Sequence, residues 1–228
     1  MGVRDANYYE ACDRAIQVMN RINLEAFGQL KMVDWDKVNV VQTVMKVYRK
    51  SAKQARKRYF EIGFEVYLLG LLMCGTEPKK AHRMAEKAIT LEWVDDILGQ
   101  TDFVTLFRFN TETERKAYRL AETLEVSDNR DMEINKALRF WSQQLGQYAI
   151  NVTDYALIQA FMDYGLEMAQ WESQKDGREC GECRAYDGQV FRINEIPPKP
   201  HWGCRCRFRP VFRKAEDPEV AKTETRKK

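Results

Sequence analysis

Five residues near the C-terminus carry the only clustered coordination chemistry in the sequence: Cys180, Cys183, His201, Cys204 and Cys206. They are spaced as C-x2-C, then seventeen residues, then H-x2-C-x-C. Two ligands separated by two residues can curl around one ion, and a second pair brought up by a chain reversal completes a tetrahedral thiolate and imidazole set, which suits zinc. Asp187-Gly188 is a suitable place for that reversal. Five candidates exceed four positions. The H-x2-C step mirrors the first turn and favours Cys180, Cys183, His201 and Cys204, while a site using Cys206 and leaving Cys204 free stays open. The competing readings are a redox pair at Cys180 and Cys183, or small core residues. A closed four-ligand site is structural, because a catalytic zinc keeps a position for water.

Other chemistry finds little support. The zinc deaminase signature needs H-x-E ahead of P-C-x-x-C, and neither His82-Arg83-Met84 nor His201-Trp202-Gly203 supplies it. There is no H-E-x-x-H, G-x-S-x-G, phosphate loop or G-x-G-x-x-G. Asp176, Glu179, Glu182 and Asp187 lie near the cysteines, but no second motif organises them, so they read as solvated loop charge. The expectation is a protein that is not an enzyme and takes no small-molecule substrate.

Basic charge is local. The chain has 37 Lys and Arg against 34 Asp and Glu, a net +3, which announces no nucleic-acid or membrane partner overall. Between residues 46 and 58, however, Lys46, Arg49, Lys50, Lys53, Arg56, Lys57 and Arg58 occur with no acidic residue among them. On a helix, Lys46, Lys50, Lys53 and Lys57 share one face, able to grip phosphates or an acidic protein surface, or simply to be solvated. A second cluster, Arg205, Arg207, Arg209, Arg213 and Lys214, flanks the cysteines, and strand alternation would set the first three opposite Cys204 and Cys206.

The elements that must position these residues follow from period. With 228 residues, 44% hydrophobic and 31% charged, the chain can build one sizeable domain, or a body plus a small module. Apolar steps of three and four predict a helix from Asp5 to about Leu30, a long one from Val41 to Met73, one from Glu77 to Leu98 capped by Thr76, one from Thr111 to Val126 opened by a Thr111/Glu114 capping box, one after Asp131 through Tyr148, and a last one over Asp154 to Gln170. Phe103 to Phe109 fits either a short strand or a packed loop. After Trp171, glycines and prolines replace helical period, with short strands at Gln189 to Ile193 and Arg205 to Phe212. A region that small needs a staple, and metal is one of the few compatible with a reducing compartment. The expected fold class is mainly α: an elongated multi-helix body (1–150), a small α+β zinc-stapled module (151–214) and a disordered polar tail (215–228). Ile62 to Cys74, the most continuous apolar stretch, is short and carries Glu65, so no membrane span is expected, and the N-terminus carries no secretory or myristoylation pattern.

The C-terminal motifs also resemble a known family. Trp171-Glu172-Ser173, Asp176, Cys180-Gly181-Glu182-Cys183, Asp187-Gly188, Val190-Phe191, Pro197-Pro198 and His201-Trp202-Gly203-Cys204-Arg205-Cys206 are similar to the phage Mu F-like minor head protein, or phage head morphogenesis, family. Its pattern runs W-x4-D, C-x2-C, L-D-G-x2-F, a proline stretch, then H-P-N-C-R-C. Thr153-Asp154 resembles the Thr-Glu opening the preceding helix, so the likeness covers about Thr153 to Val211. Tyr186 stands in place of Leu, and Trp202-Gly203 in place of Pro-Asn, without touching a candidate ligand. The resemblance implies a minor structural protein of a tailed-phage head, present in few copies and assembled in the host cytoplasm into the virion. Its implied partners are the portal, other head proteins and packaged double-stranded DNA, in head assembly or DNA ejection. Some relatives carry a toxin or ADP-ribosyltransferase extension, which is not expected here. The alternative reading is a zinc-ribbon nucleic-acid-binding regulator.

Overall fold

The computed structural model describes residues 3–101, 106–175 and 179–212. It is mainly helical, with a small three-stranded sheet near the C-terminus. The helices are α1 (Val3–Gly28), α2 (Val40–Met73), α3 (Pro78–Ala88), α4 (Leu91–Leu98), α5 (Phe109–Val126), α6 (Arg130–Tyr164) and the short α7 (Gly181–Tyr186). The strands are β1 (Met168–Glu172), β2 (Val190–Arg192) and β3 (Arg207–Val211).

The long helix α2 forms where its three-and-four apolar steps predict it. Asn39 caps it by accepting from the Gln42 amide at 2.9 Å, and its buried stripe includes Tyr48, Ala55, Tyr59 and Val66. At about 1.5 Å per residue, α2 and α6 each run about 50 Å. The two lie against each other, with α1 and α5 completing the body. Tyr48, Phe109, Trp141 and Tyr148 interlock in the core, with ring centroids 5.0 to 6.2 Å apart. A buried polar chain ties three helices together: Trp141 Nε1 donates to Ser51 Oγ, Ser51 Oγ to Asn23 Oδ1, and Asn23 Nδ2 to Ser142 Oγ. Every member has a partner, so the chain fixes register without stranding a donor.

Where α2 crosses α6 they approach closely at Gly70. A Cβ there would lie 2.7 Å from the Ala160 Cβ and 3.1 Å from Leu157 Cδ1. Gly70→Ala should therefore cost about 1–3 kcal/mol, as overpacking does, read as a lower denaturation midpoint in urea.

Several boundaries differ from the expectation, each for a local reason. The helix α1 begins at Val3, ahead of Asp5. The expected Glu77–Leu98 helix is two helices, because Thr90 Oγ1 accepts from the Trp93 amide and restarts the chain as α4. Glu77, and not Thr76, caps α3, accepting from the amides of Lys79 and Lys80. The Thr111/Glu114 capping box does not open α5. That helix starts at Phe109, whose ring is buried, while Glu114 reaches across to Arg49 at 2.9 Å. Phe107 sits in a bend, and 102–105 lie outside the described residues. The helices expected before Tyr148 and after Asp154 are one, α6, running through residue 150 to Tyr164. Its final expected turns, from Met168, are strand β1 instead. Gly165, at φ 94°, ends α6, with its amide on Met162 O and the Leu166 amide on Phe161 O. That left-handed cap is one glycine adopts without strain.

The sheet has the order β2-β1-β3, antiparallel throughout, with Ala169 opposite Phe191 and Trp171 opposite Phe208. Its buried side chains, Trp171, Phe191 and Phe208, join the same core as the helices.

Candidate metal centre

The middle strand aims the chain at the cysteines. Cys180 stands at the N-terminal cap of α7 and its Sγ accepts from the Cys183 amide at 3.3 Å, so one turn of helix presents both sulfurs to one side. The chain then reverses at Asp187 and Gly188. Gly188 has φ 78° and its amide donates to Trp171 O at 2.8 Å, which starts β2 beside β1 where the Asp-Gly pair predicts a turn. Past the prolines, His201 and Cys204 form a second tight turn. The Cys204 amide donates to His201 O at 3.3 Å, and the Gly203 amide is held by Gln147 Oε1 of α6 at 2.9 Å.

These turns bring all five candidates together in two overlapping triads. The ligand atoms of Cys180, Cys183 and His201 lie within 4.8 Å of one another, as do those of Cys183, Cys204 and Cys206. Cys183 is shared. Its Sγ is 3.4 Å from His201 Nε2 and 3.5 Å from Cys204 Sγ. A zinc–sulfur bond of about 2.3 Å implies tetrahedral edges of about 3.7 Å, so these separations are of ligand size. His201 Nδ1 faces the Trp202 carbonyl at 2.9 Å. An Nδ1–H donated there leaves Nε2 with its lone pair toward Cys183, the tautomer a metal needs. The donor set therefore fits a metal ion.

Electrostatics point the same way. Cys183, Cys204 and Cys206 are each at most 5% exposed, and three adjacent buried thiols cannot all ionise without a cation. Burial pushes the Cys183 thiol up to about 12, and its hydrogen bond with Cys206 drives Cys204 upward too. Cys206 moves the other way, its pKa lowered chiefly by the hydrogen bond from Cys204, against burial and with help from Cys183 and the Lys199 ammonium. A divalent cation would replace these shared protons as the counter-charge.

Sequence reasoning missed Lys199. It is 8% exposed, its Nζ lies 3.3 Å from Asp154 Oδ2, it donates to the Cys206 carbonyl, and it sits over the rings of Trp171 and Phe208 at 5.2 and 5.0 Å. Burial works to lower its pKa, but Asp154 and the sulfurs of Cys204 and Cys206 outweigh it and the net direction is up. No spacing rule marks a lysine among prolines as a buried cation. Gln147, 2% exposed, was equally invisible, lying 56 residues from the glycine it holds.

The carboxylates near the cysteines serve the loops. Ser173 Oγ donates to Glu179, and Arg184 lies 3.4 Å from the same carboxylate. Asp187 accepts from the Ser173 amide and pairs with Lys175. Glu182 is exposed, and Asp176 lies outside the described residues.

The two basic clusters are placed differently. Lys46, Lys50, Lys53 and Lys57 are all exposed along α2, with no ion pair among the described residues. Their neighbours Arg49, Arg56 and Arg58 are bound to Glu114, Asp95 and Glu61. Arg205 lies 3.3 Å from Asp13 on α1. Arg207 is 1% exposed and bound to Glu172, whose other oxygen is 2.7 Å from Arg209. Arg213 and Lys214 lie outside the described residues. Burial raises the Glu172 pKa, but hydrogen bonds from Arg209 and Arg207 outweigh it and the net direction is down. A depressed carboxylate contributes stability that is present above its unfolded value of about 4.3 and is lost as pH falls through the folded value. Glu172→Gln should accordingly flatten the acid limb of a stability-versus-pH curve below about pH 4.3.

With this geometry in hand, comparison with known proteins is informative. Residues 111–209 match the family model described as Phage Mu protein F like protein. The chain carries a phage Mu F-like region. No curated protein and no solved structure matches the chain. The Mu F-like region takes in α6, most of α5 and of the sheet, and the Cys/His cluster, extending the likeness back from Thr153 to Thr111. Both metal triads and the Gln147 and Asp154 supports on α6 fall within it. The match supports a phage head morphogenesis protein. Among the described residues no helix is long and apolar enough to cross a membrane.

Proposed function

We propose that this chain is a noncatalytic minor structural protein of a tailed-phage head, assembled in the host cytoplasm into the virion and docked at the portal during head assembly or DNA delivery. The observation that carries this reading is the closed Cys/His cluster, which lies inside the Mu F-like region and faces two supporting residues of α6. In this reading Cys180, Cys183, His201 and one of Cys204 and Cys206 hold a structural zinc, and the ion gives the C-terminal segment its shape. Four protein donors leave no open position for a reacting water, which favours a staple over catalysis.

The exposed lysines of α2 are the surface offered to an acidic head protein or to packaged DNA. Incubation of the full chain with assembled portal protein tests the role. Stable association that falls with added salt and with Lys50→Glu/Lys53→Glu supports docking through α2. Absence of portal binding, combined with tight sequence-selective duplex binding, would favour the zinc-ribbon regulator instead.

A further inference from the structure

A cleft of about 400 Å³ opens between α5 and α6, away from the metal centre. Its floor is apolar, formed by Leu120, Ala137 and the half-exposed ring of Phe140. Lys116, Arg119 and Lys136 line it, against the single carboxylate of Glu133. Lys116 is 3.6 Å from Glu112 and Lys136 is 3.7 Å from Glu133, but Arg119 is exposed and makes no ion pair among the described residues.

Tyr48 adds a second, independent feature. It is 1% exposed and lines the cleft, and its hydroxyl, which makes no hydrogen bond among the described residues, is open to the cleft. Burial, and then the Glu112 carboxylate, push its pKa upward, so the phenol stays protonated and remains a donor. A donor at the wall of a cationic cleft can turn from solvent to an anionic acceptor held there.

Phe140 sets what the anion is carried on. Its ring is 42% exposed and has Lys116 Nζ at 5.9 Å and Arg139 at 5.2 Å from its centroid. A flat aromatic body can stack on such a ring while its charge meets the flanking cations. A bare inorganic anion would leave the apolar floor unused, and the volume is of the size that holds a small organic ligand.

From the free arginine, the phenol open to the cleft and the exposed ring, we infer that this cleft binds one nucleotide unit, its phosphate on Arg119, Lys116 and Lys136 and its base on Phe140. The unit comes either from a single-stranded DNA segment or from a free nucleotide. The inference stands independently of the metal centre and of portal docking.

Fluorescence anisotropy with the full metal-loaded chain tests it, using a labelled oligothymidylate, with thymidine monophosphate and inorganic phosphate as competitors. Arg119, Lys136 and Phe140 are exposed, so their variants should melt as the wild type does. Arg119→Ala/Lys136→Ala is expected to weaken oligothymidylate binding about tenfold or more, Phe140→Ala about tenfold, and Tyr48→Phe by a smaller factor. Competition by the monophosphate at the same affinity per site assigns the cleft to free nucleotide, and competition by oligothymidylate alone assigns it to a strand. Equal binding by wild type and the double variant, or binding of a polyglutamate peptide without any nucleotide, would overturn the inference.

Discussion

Cys183→Ser should leave the chain unable to retain a metal ion. Cys183 is the one residue common to both triads, so each triad loses a donor, and the four candidates left would have to meet without the sulfur that joins them. Structural zinc in small modules contributes about 10–16 kcal/mol of apparent binding free energy near neutral pH, which makes this the largest single effect expected. The loss should be local. Amide-exchange protection should fall across β2, α7 and β3, while α2 and α6, which pack against each other along the body, keep theirs. Cys204→Ser and Cys206→Ser form the informative contrast. The variant that keeps one zinc per chain identifies the thiol outside the shell, since it retains Cys180, Cys183 and His201 with the fourth ligating sulfur. Retention of a full equivalent of zinc by Cys183→Ser would mean that Cys183 is not the sulfur through which the two turns share an ion.

Asp154→Ala should destabilise the protein by about 3–5 kcal/mol, because it leaves a buried ammonium without its carboxylate. Lys199 is enclosed by Trp171, Phe208, the Cys206 carbonyl and Asp154, and among the described residues only Asp154 brings a full opposite charge outside the cysteine cluster. The effect is specific to the stranded charge. Asp154→Ala combined with Lys199→Met should recover much of the loss, since a pair replaced by apolar side chains is often close to neutral. Chemical denaturation of the wild type, both single variants and the double variant measures this as a cycle. A change below about 0.5 kcal/mol for Asp154→Ala, the range of ordinary surface substitutions, would show that Lys199 does not depend on it.

How legible the protein was from its sequence depended on whether each feature left a local pattern. The helix α2 could be read to within a residue at its start because its buried stripe recurs at three and four with polar residues between. The candidate ligands could be read because two short spacings announce two turns, and those turns form at Cys180–Cys183 and His201–Cys204. Helix α6 could not be read as one element. Its centre is buried on nearly every side, from Gln144 through Ile150 without interruption, so no polar face marks the period. Its apparent end near Tyr148 was only the start of enclosure by α1, α2 and α5. The strand β1 reads as the last turns of that helix, since five residues are too few for either period to decide; Gly165 is the punctuation that marks the change. Lys199 and Gln147 act over long sequence separations, through burial that only the assembled fold creates.

The central claim is that one ion joins the turn at Cys180 and Cys183 to the turn at His201 and Cys204. Zinc X-ray absorption on the native full-length chain, with the metal content measured on the same sample, tests it most directly. The account predicts one zinc per chain with a first shell of three sulfurs at about 2.3 Å and one nitrogen at about 2.0 Å. A protein that is fully folded and metal-free as isolated, with Cys180, Cys183, Cys204 and Cys206 all open to alkylation, would contradict it.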